Sequence, residues 1–312
     1  MIALSAVTKS FDDNVVLEHL DFSIEEGAFC VLVGPSGCGK STLLRLINGL
    51  IAPDSGTVTV RGADVAMLDR EYLRRGIGYV IQSVGLFPHW TIGDNIAAVP
   101  RLLNWPKVKI AARVDELVAL MQLDPALLAR YPRQLSGGQQ QRIGVARALA
   151  ADPDMVLMDE PFGALDPLIR NALQQELRQI HKQSGKTIVF VTHDMDEALR
   201  LGTEIAVMNK GRIVQIGPPI DLLRAPANEF VQNLIGGTEA SLRLLETIDV
   251  RERLRRGESA TGSPISSEAT LKEALALMLA SHRSMVPVRD ADGGELGVLH
   301  FEDILSAGHE PH

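Results

Sequence analysis

The sequence GPSGCGKST, from Gly34 to Thr42, is the segment around which the rest of this chain is arranged. It fits the pattern G-x-x-x-x-G-K-[ST], with an apolar run ending at Val33 before it and a helix-like run starting at Leu43 after it. Its glycines allow backbone N–H groups to turn inward around an anion, and the N-terminus of the following helix adds positive potential. The segment therefore predicts a phosphate-binding loop; an ordinary glycine-rich turn is the alternative.

Three side chains of this loop have predicted roles in nucleotide binding. Lys40 is placed to reach the β- and γ-phosphates, Ser41 offers a hydroxyl to Mg²⁺, and Thr42 is placed to bond a phosphate closer to the sugar. The other candidate nucleotide-binding residues of the loop are Gly34, Pro35, Ser36, Gly37, Cys38 and Gly39.

Composition narrows the class of protein. The chain has 312 residues, 46% of them apolar, which is enough for one large core and a smaller appended unit. A net charge of -8 leaves no basic excess to displace counterions from a nucleic acid, so no nucleic acid partner is expected. The two cysteines, Cys30 and Cys38, offer no disulfide framework and suit a reducing cytosol. No apolar stretch approaches the roughly 20 residues of a membrane-spanning helix, so any membrane association is expected to run through a partner.

The order of predicted elements indicates an α/β fold with a mixed sheet and a parallel core. Residues 2–33 predict an antiparallel sheet that leads into the core, and further core strands are predicted at Met155–Met158, Thr187–Thr192 and Ile205–Met208. Between about His89 and Ala150 the pattern is helical, which indicates an inserted helical subdomain.

The composition changes after residue 236, where we expect the first domain, 1–236, to end. Residues 237–267 are predicted to be a linker, and its charged run Arg251–Arg256 is interpreted as a solvated helix face, with a contact to anionic lipid as the alternative. A helix at Leu271–Met278 and strands at Met285–Val288 and Leu296–Phe301 predict a small α+β domain over 268–312.

Polar side chains follow several of the predicted strands. Asp159 and Glu160 end a fully apolar strand, at the edge where open α/β sheets bind ligands. Because adjacent strand residues point to opposite sides, we assign Asp159 to the Mg²⁺ shell and Glu160 to polarising a water. His193 ends another core strand and is predicted to contact the γ-phosphate, and Gln82 is predicted to contact Mg²⁺ or the water. Solvent-facing carboxylates, a structural histidine and a loop glutamine are the alternatives.

A second glycine-containing motif consists of Ser136, Gly137, Gly138 and Gln139, which precede a helix predicted over Gln140–Ala150. Ser136 and Gln139 have the spacing of a capping box, which is a sufficient structural explanation for those two residues. Two successive glycines are not needed for a cap, whereas close approach of a phosphate needs them. We therefore predict that this motif contacts the nucleotide of another subunit.

The complete set of motifs resembles the ATP-binding subunit of an ABC (ATP-binding cassette) transporter. The resemblance covers residues 1–236 and is carried by GPSGCGKST, Gln82, LSGGQ, MVLMDE, Ala164–Leu165–Asp166 and His193, in this order. It implies a homodimer in which two ATP molecules lie between the phosphate loop of one subunit and Ser136–Gln139 of the other. It also implies that Phe11 stacks on adenine, that Asp166 lies in a loop communicating across the dimer, and that Gln82–Trp90 meets the membrane partner.

Longer phrases resemble the osmoprotectant importers of this family, which transport glycine betaine, choline or carnitine. These phrases are GYVIQ with GLFP, YPRQLS, and PFGALDP. The tail resembles one cystathionine-β-synthase-type (CBS) repeat, a module that usually works in pairs. His300 stands where adenosine-binding repeats often have a hydroxyl residue, while Asp303 remains. The tail is therefore expected to dimerise or to sense ionic strength rather than to bind adenosine.

The resemblance implies an ATPase subunit that works with transmembrane permease subunits and a separate substrate-binding protein. It would lie peripherally at the cytoplasmic face of the inner membrane. The alternatives are import of another small solute such as an amino acid, a cassette protein acting on ribosomes or DNA repair, and a nucleotide-sensing regulator.

Overall fold

The computed structural model describes residues 1–82, 85–163, 165–236, 240–290 and 292–306, and only the backbone of residues 240–242, 305 and 306. Ala164, which belongs to one of the motifs above, lies outside the described residues, as do residues 237–239 of the predicted linker and residues 307–312 of the predicted C-terminal domain. The chain divides into two compact units, Met1–Ile216 and Gly217–His312, so the division falls earlier than residue 236.

In chain order, the strands are β1 (Ile2–Phe11), β2 (Asn14–Ile24), β3 (Phe29–Val33), β4 (Ser55–Val60), β5 (Ala63–Asp64), β6 (Ile77–Val80), β7 (Met155–Asp159), β8 (Thr187–Thr192), β9 (Glu204–Asn209), β10 (Arg212–Gly217), β11 (Ile265–Ser266), β12 (Met285–Arg289) and β13 (Glu295–His300). The helices are α1 (Lys40–Ile47), α2 (Arg70–Arg75), α3 (Ile92–Ile96), α4 (Ala98–Leu102), α5 (Lys107–Leu120), α6 (Gly137–Leu149), α7 (Pro167–Ser184), α8 (Met195–Leu201), α9 (Pro219–Arg224), α10 (Glu229–Leu234), α11 (Ala240–Thr247), α12 (Leu271–Ser281) and α13 (Phe301–Ser306).

Two sheets form the first unit, and together they confirm the predicted α/β architecture. The antiparallel sheet has the order β2-β1-β4-β5. The second sheet has the order β10-β9-β3-β8-β7-β6, and its strands β9, β3, β8, β7 and β6 are parallel. Strands β3, β7 and β8 are buried along their whole length, as expected for parallel strands covered on both faces. Their carboxyl ends therefore meet at one edge of the sheet.

One hydrophobic core joins the antiparallel sheet, α1 and one face of the parallel sheet. Leu17, Ile24, Leu44 and Leu157 are among its fully buried members. Both cysteines are buried and free, which confirms that they form no disulfide with each other. Since the phosphate loop connects β3 to α1, its position is fixed by this core.

The range His89–Ala150 contains α3, α4, α5 and α6. The apolar stripe predicted for this region is present, because Val114, Leu117, Val118 and Met121 are all buried. Helix α6 begins at Gly137 rather than at Gln140, since the Ser136 side chain caps its first turn. Across the described residues, no helix is both long and apolar enough to cross a membrane.

The second unit contains the sheet β11-β12-β13. Strand β11 is parallel to β12, and β13 is antiparallel to it. Helix α11 packs against α9 and α12. The predicted helix and strands of the tail are therefore present, although β13 ends at His300 and α13 begins at Phe301.

The interpretation of Arg251–Arg256 as a solvated α-helix face is wrong. The segment forms the end of a single 3-10 turn, Val250–Glu252, and then an extended stretch. The backbone N–H of Arg255 donates to the carbonyl of Val298 at 2.7 Å, and the Val298 N–H donates back at 3.0 Å. The Arg255 guanidinium also donates to both carboxylate oxygens of Asp303, at 2.9 and 2.8 Å. Backbone pairing with β13 therefore replaces helical hydrogen bonding.

Candidate functional site

The phosphate loop is shaped by its first glycine and by its lysine. Gly34 has φ 153°, and a Cβ there would lie 2.1 Å from the carbonyl oxygen of Met208, so a side chain is excluded. Lys40 is 6% exposed, and its Nζ donates to the carbonyl oxygens of Gly34 at 2.7 Å and of Pro35 at 2.9 Å. A buried ammonium is thus held inside the loop, where its charge attracts phosphate oxygens.

Ser41 and Asp159 connect the loop to the end of β7. The Ser41 hydroxyl donates to Asp159 Oδ1 at 3.0 Å. Burial raises the pKa of the Asp159 carboxyl, and the hydrogen bond from Ser41 opposes that shift. An oxygen pair made of a hydroxyl and a carboxylate matches the ligands that Mg²⁺ prefers in proteins, so these residues fit the metal role predicted for them.

Glu160 has an unusual backbone for a residue with a side chain. Its φ is 47°, in the left-handed region that costs an L-residue about 1 kcal/mol or more. Hydrogen bonds hold both of its peptide groups, because its N–H donates to Val191 O at 3.0 Å and its carbonyl accepts from Gln141 Nε2 at 3.1 Å. This turn separates the direction of the Glu160 side chain from that of the buried Asp159.

Two predicted catalytic side chains contact the Glu160 carboxylate. Gln82, which lies beyond the end of β6, directs its Nε2 to Oε2 at 3.3 Å. His193, directly after β8, places its Nδ1 3.5 Å from Oε1. The structure therefore brings together the three residues that we assigned to catalysis from the sequence. A carboxylate with an amide and an imidazole beside it is suited to orienting and polarising a water molecule.

Three residues were predicted as metal ligands: Ser41, Gln82 and Asp159. In the structure, Gln82 contacts a residue outside this set. Its amide contacts Glu160, whereas Ser41 and Asp159 contact each other. Within the described residues, no group of three or more His, Cys, Asp or Glu side chains is suited to a metal ion. The pair Ser41 and Asp159 is therefore the part of the predicted metal site that the structure assembles.

A buried polar network lies behind His193, and no role was predicted for its residues from the sequence. Glu197 of α8 is 6% exposed and accepts hydrogen bonds from Thr192 Oγ1 at 2.6 Å and from Gln174 Nε2 at 3.0 Å. Burial raises the pKa of the Glu197 carboxyl. Arg170 of α7 approaches the same carboxylate at 3.9 Å and also donates to Leu165 O at 3.2 Å. The network thus links α7 to the segment that carries His193.

Gln141 is a second contact that sequence reasoning missed. It is 5% exposed, and through the carbonyl of Glu160 it ties α6 to the end of β7. In the sequence, its position two residues after Gln139 was the available signal, but only the fold brings its side chain to the carbonyl that follows β7.

The second glycine motif forms the first turn of α6. The capping box is present: Gln139 N–H donates to Ser136 Oγ at 3.3 Å, and Ser136 N–H donates to Gln139 Oε1 at 3.0 Å. Ser136 and Gly137 are exposed, and a Cβ added at Gly137 would meet no atom within 4 Å. The cap therefore explains Ser136 and Gln139 but does not explain Gly137. Open space above this turn is what a phosphate from another subunit requires.

Phe11 and Asp166 are both in defined local structures. Phe11 lies at the end of β1, where it pairs with Asn14 across the hairpin, and its ring is 42% exposed with Lys9 Nζ 5.4 Å from the centroid. Asp166 caps α7, because its Oδ1 accepts from the Ile169 N–H at 3.1 Å. Phe11 therefore has an exposed ring surface available for stacking, whereas the Asp166 side chain caps the N-terminus of α7.

The segment after Gln82 presents an aromatic pair. The rings of Phe87 and Trp90 lie 4.6 Å apart and both are partly exposed. Arg147 of α6 donates to Gly85 O at 2.7 Å and lies 5.8 Å from the Phe87 ring centroid. The Asn95 Oδ1 accepts from the Phe87 N–H at 2.8 Å, so α3 and α6 hold residues 85–87 from two sides, while residues 83 and 84 lie outside the described residues.

Comparison with known proteins agrees with this geometry. The family described as "ABC transporter" matches residues 17–163. The glycine betaine uptake system ATP-binding protein YehX of Escherichia coli K12 is 50% identical over 305 residues, which cover 98% of this chain and 99% of that protein. The glycine betaine/carnitine/choline transport ATP-binding protein OpuCA of Bacillus subtilis is 48% identical over 279 residues, covering 89% of this chain and 72% of that protein.

Among solved structures, the chain is similar to a dimeric ATP-binding cassette in a post-hydrolysis state bound to ADP and Pi. The similarity has a TM-score of 0.65 and 33% sequence identity, and it covers 70% of this chain and 99% of that chain. A cassette of this kind therefore accounts for most of the length of this chain.

Proposed function

This chain belongs to the ABC transporter family as an ATP-binding subunit of the glycine betaine and osmoprotectant uptake group, and from this membership we propose its substrates, partners and site roles. It binds and hydrolyses ATP to power a membrane importer. The imported solutes are quaternary amines such as glycine betaine, choline or carnitine. The observation that carries the proposal is the contact of Gln82 and His193 with the Glu160 carboxylate, next to the Ser41–Asp159 pair.

In the proposed reaction Glu160 accepts a proton from the water that attacks the γ-phosphate in line. Gln82 orients that water through its amide, and His193 contacts the γ-phosphate from the neighbouring strand. The Lys40 ammonium neutralises part of the phosphate charge, the backbone N–H groups of the phosphate loop donate to the phosphate oxygens, and Phe11 stacks on the adenine. The geometry around Glu160 supports these roles, because its carboxylate is already directed by two polar neighbours.

Mg²⁺ is proposed to be held by Ser41 and Asp159, with Gln82 as a further ligand. When bound, it would supply positive charge that stabilises the negative charge developing on the phosphate oxygens. Asp159 contributes a carboxylate whose own charge is disfavoured by burial, so a cation beside it is expected to restore the ionised form.

The active species is proposed to be a homodimer in which Ser136–Gln139 of one subunit closes on the ATP bound by the other. The open space at Gly137 supports this arrangement, and so does the dimeric state named for the similar cassette. ATP binding closes the dimer and drives the membrane partner outward-facing, and hydrolysis resets it. The partners are transmembrane permease subunits, which meet Gln82–Trp90, and a separate substrate-binding protein. The chain lies peripherally at the cytoplasmic face of the membrane.

The CBS-like assignment of the tail is also a proposal. In the C-terminal unit, the Arg255 guanidinium donates to Asp303 and the His300 Nε2 lies 2.6 Å from Glu258 Oε2, so the retained aspartate and the histidine that replaces the hydroxyl residue both already have charged partners. This supports a tail that dimerises or senses ionic strength, since exposed ion pairs weaken as salt rises.

Uptake of labelled betaine, choline and carnitine tests the substrate class. Cells lacking this chain are complemented with the unaltered chain or with Glu160→Gln, and uptake is measured at low and high osmolality. We expect uptake of at least one of these amines only with the unaltered chain. Equal uptake by cells with the unaltered chain and by cells with Glu160→Gln would remove the osmoprotectant assignment. ATP hydrolysis by the purified chain would still support an importer for another solute.

A further inference from the structure

Gln141 is buried between two parts of the proposed site that are far apart in sequence. It lies in the second turn of α6, is 5% exposed, and its Nε2 donates to the carbonyl of Glu160 at 3.1 Å. A buried amide that donates to a carbonyl is costly to leave unpaired, so this contact fixes the distance between α6 and the end of β7.

The contact acts on the strained residue of the site. Glu160 has φ 47°, and such a conformation persists only where the surroundings hold it. Its N–H is held by Val191 O at 3.0 Å, on the neighbouring strand β8. Its carbonyl is held by Gln141 and by the Gly163 N–H at 3.3 Å. Removing the Gln141 donor would leave the carbonyl with the longer Gly163 hydrogen bond, so the following peptide would rotate more easily and the Glu160 carboxylate would change direction with it.

Helix α6 also carries the motif proposed to contact the partner's ATP. Ser136 caps the helix and Gly137 starts it, so Gln141 lies about one turn further along the same helix. Because a helix of this length moves as a unit, a shift of its first turn reaches the carbonyl of Glu160 through one hydrogen bond.

We propose that Gln141 is a positioning residue that holds Glu160 for hydrolysis and connects the partner-facing turn of α6 to the catalytic carboxylate of the same chain. Closure of one ATP site then acts on the geometry of the other. This inference rests on the proposed dimer and on the proposed role of Glu160.

The test uses the full chain and the variants Gln141→Met and Gln141→Glu, which keep the side-chain length but lack the amide donor. Gln140→Met is the matched control, because Gln140 is the adjacent glutamine, and its amide donates to Pro132 and Leu135 carbonyls instead of to Glu160. ATP affinity and the number of ATP sites are measured with a fluorescent ATP analogue. Steady-state phosphate release then gives kcat per ATP site, so that a partly folded preparation does not lower it.

We expect both Gln141 variants to lose about tenfold in kcat per site, the scale of one lost hydrogen bond, while ATP affinity changes by less than about twofold. The Hill coefficient for ATP is expected to fall towards one in the Gln141 variants and to stay unchanged in Gln140→Met. Unchanged kcat in Gln141→Met would overturn the inference, as would an equal loss in Gln140→Met. Glu160→Gln distinguishes failure of the Gln141 inference from failure of the proposed catalytic role of Glu160. If Glu160→Gln still turns over ATP, the catalytic proposal itself fails.

Discussion

The Ser41 hydroxyl donates to Asp159 Oδ1 at 3.0 Å, joining the first turn of α1 to the end of β7. The two residues lie 118 positions apart in the sequence. Their contact places the phosphate loop and the strand-end acids at one edge of the parallel sheet, so the effects of changing either residue should depend on the other.

Ser41→Ala is expected to weaken the use of Mg²⁺ because it removes one proposed oxygen ligand and the hydrogen bond to Asp159. The Mg²⁺ concentration for half-maximal hydrolysis should rise about tenfold, measured by phosphate release at saturating ATP. The double variant with Asp159→Asn should lose less than the sum of the two single losses, expressed as free energies. Fully additive losses would show that the two residues act separately.

Glu160→Gln is expected to keep ATP binding and to lose at least about a hundredfold in turnover, because an amide does not accept the proton of the attacking water. Steady-state phosphate release and binding of a fluorescent ATP analogue check the two parts. Glu71→Gln, which changes an exposed acid of α2 paired with Arg75, is the control and should behave like the unaltered chain. Undiminished hydrolysis by Glu160→Gln would contradict the assignment.

Gly137→Ala is expected to raise the stability of the fold and to lower ATP turnover. The added methyl group meets no atom of its own chain within 4 Å, and alanine lowers the entropy of the unfolded chain, which stabilises the fold by about 0.4–1 kcal/mol. The same methyl group would project towards the partner's ATP, so turnover should fall about tenfold, on the scale of a displaced phosphate contact. Thermal unfolding and phosphate release measure the two effects.

The control for that prediction is Gly76→Ala at the end of α2, where φ is -87° and the nearest atom to an added Cβ is 3.5 Å away. It should leave turnover unchanged. If Gly137→Ala also left turnover unchanged, no partner nucleotide would approach the turn.

Glu197→Gln is expected to change how stability depends on pH. Burial raises the pKa of Glu197 in the folded state, so its contribution to stability is full at low pH and is lost as the pH rises through that raised value. The free energy of unfolding of the unaltered chain should therefore fall relative to that of Glu197→Gln as the pH rises above about 4. Urea unfolding of both proteins across this range measures the difference.

Glu116→Gln serves as the control, because Glu116 is an exposed acid paired with Arg113 on α5. Subtracting its pH profile removes the part of the effect that comes from replacing an exposed carboxylate with an amide. A constant difference for Glu197→Gln across the same range would show that Glu197 has an ordinary pKa.

The sequence predicted the parts of the site that depend on local patterns. The phosphate loop, the strand-end acids and His193 were all found by reading a motif or the end of an apolar strand, since parallel strands carry their carboxyl ends to one edge. Gln82 was assigned to the same edge correctly, but its partner is Glu160 and not the proposed metal pair. Which of two nearby acids an amide contacts is fixed by side-chain packing, which a pattern does not contain.

The residues that sequence reasoning missed are held by tertiary contacts. Gln141 and Glu197 have their contacts only because α6 reaches the residue after β7 and α7 packs against α8. The error at Arg251–Arg256 has the same origin: the charge pattern fits a helix face, but the backbone of Arg255 pairs with Val298, far along the chain. Long-range backbone pairing overrode local preference there.

The left-handed backbone at Glu160 lowers the stability of the folded chain at the same residue that carries the reacting carboxylate. Glycine adopts φ 47° without steric strain, so Glu160→Gly removes about 1 kcal/mol of strain from the folded chain, but it also raises the entropy of the unfolded chain by a similar free energy and removes the reacting carboxylate. Replacement by glycine would therefore gain little stability at this residue and would abolish the proposed reaction. The strain is therefore tied to the carboxylate, because replacing Glu160 does not remove the strain without also removing the group that activates the water.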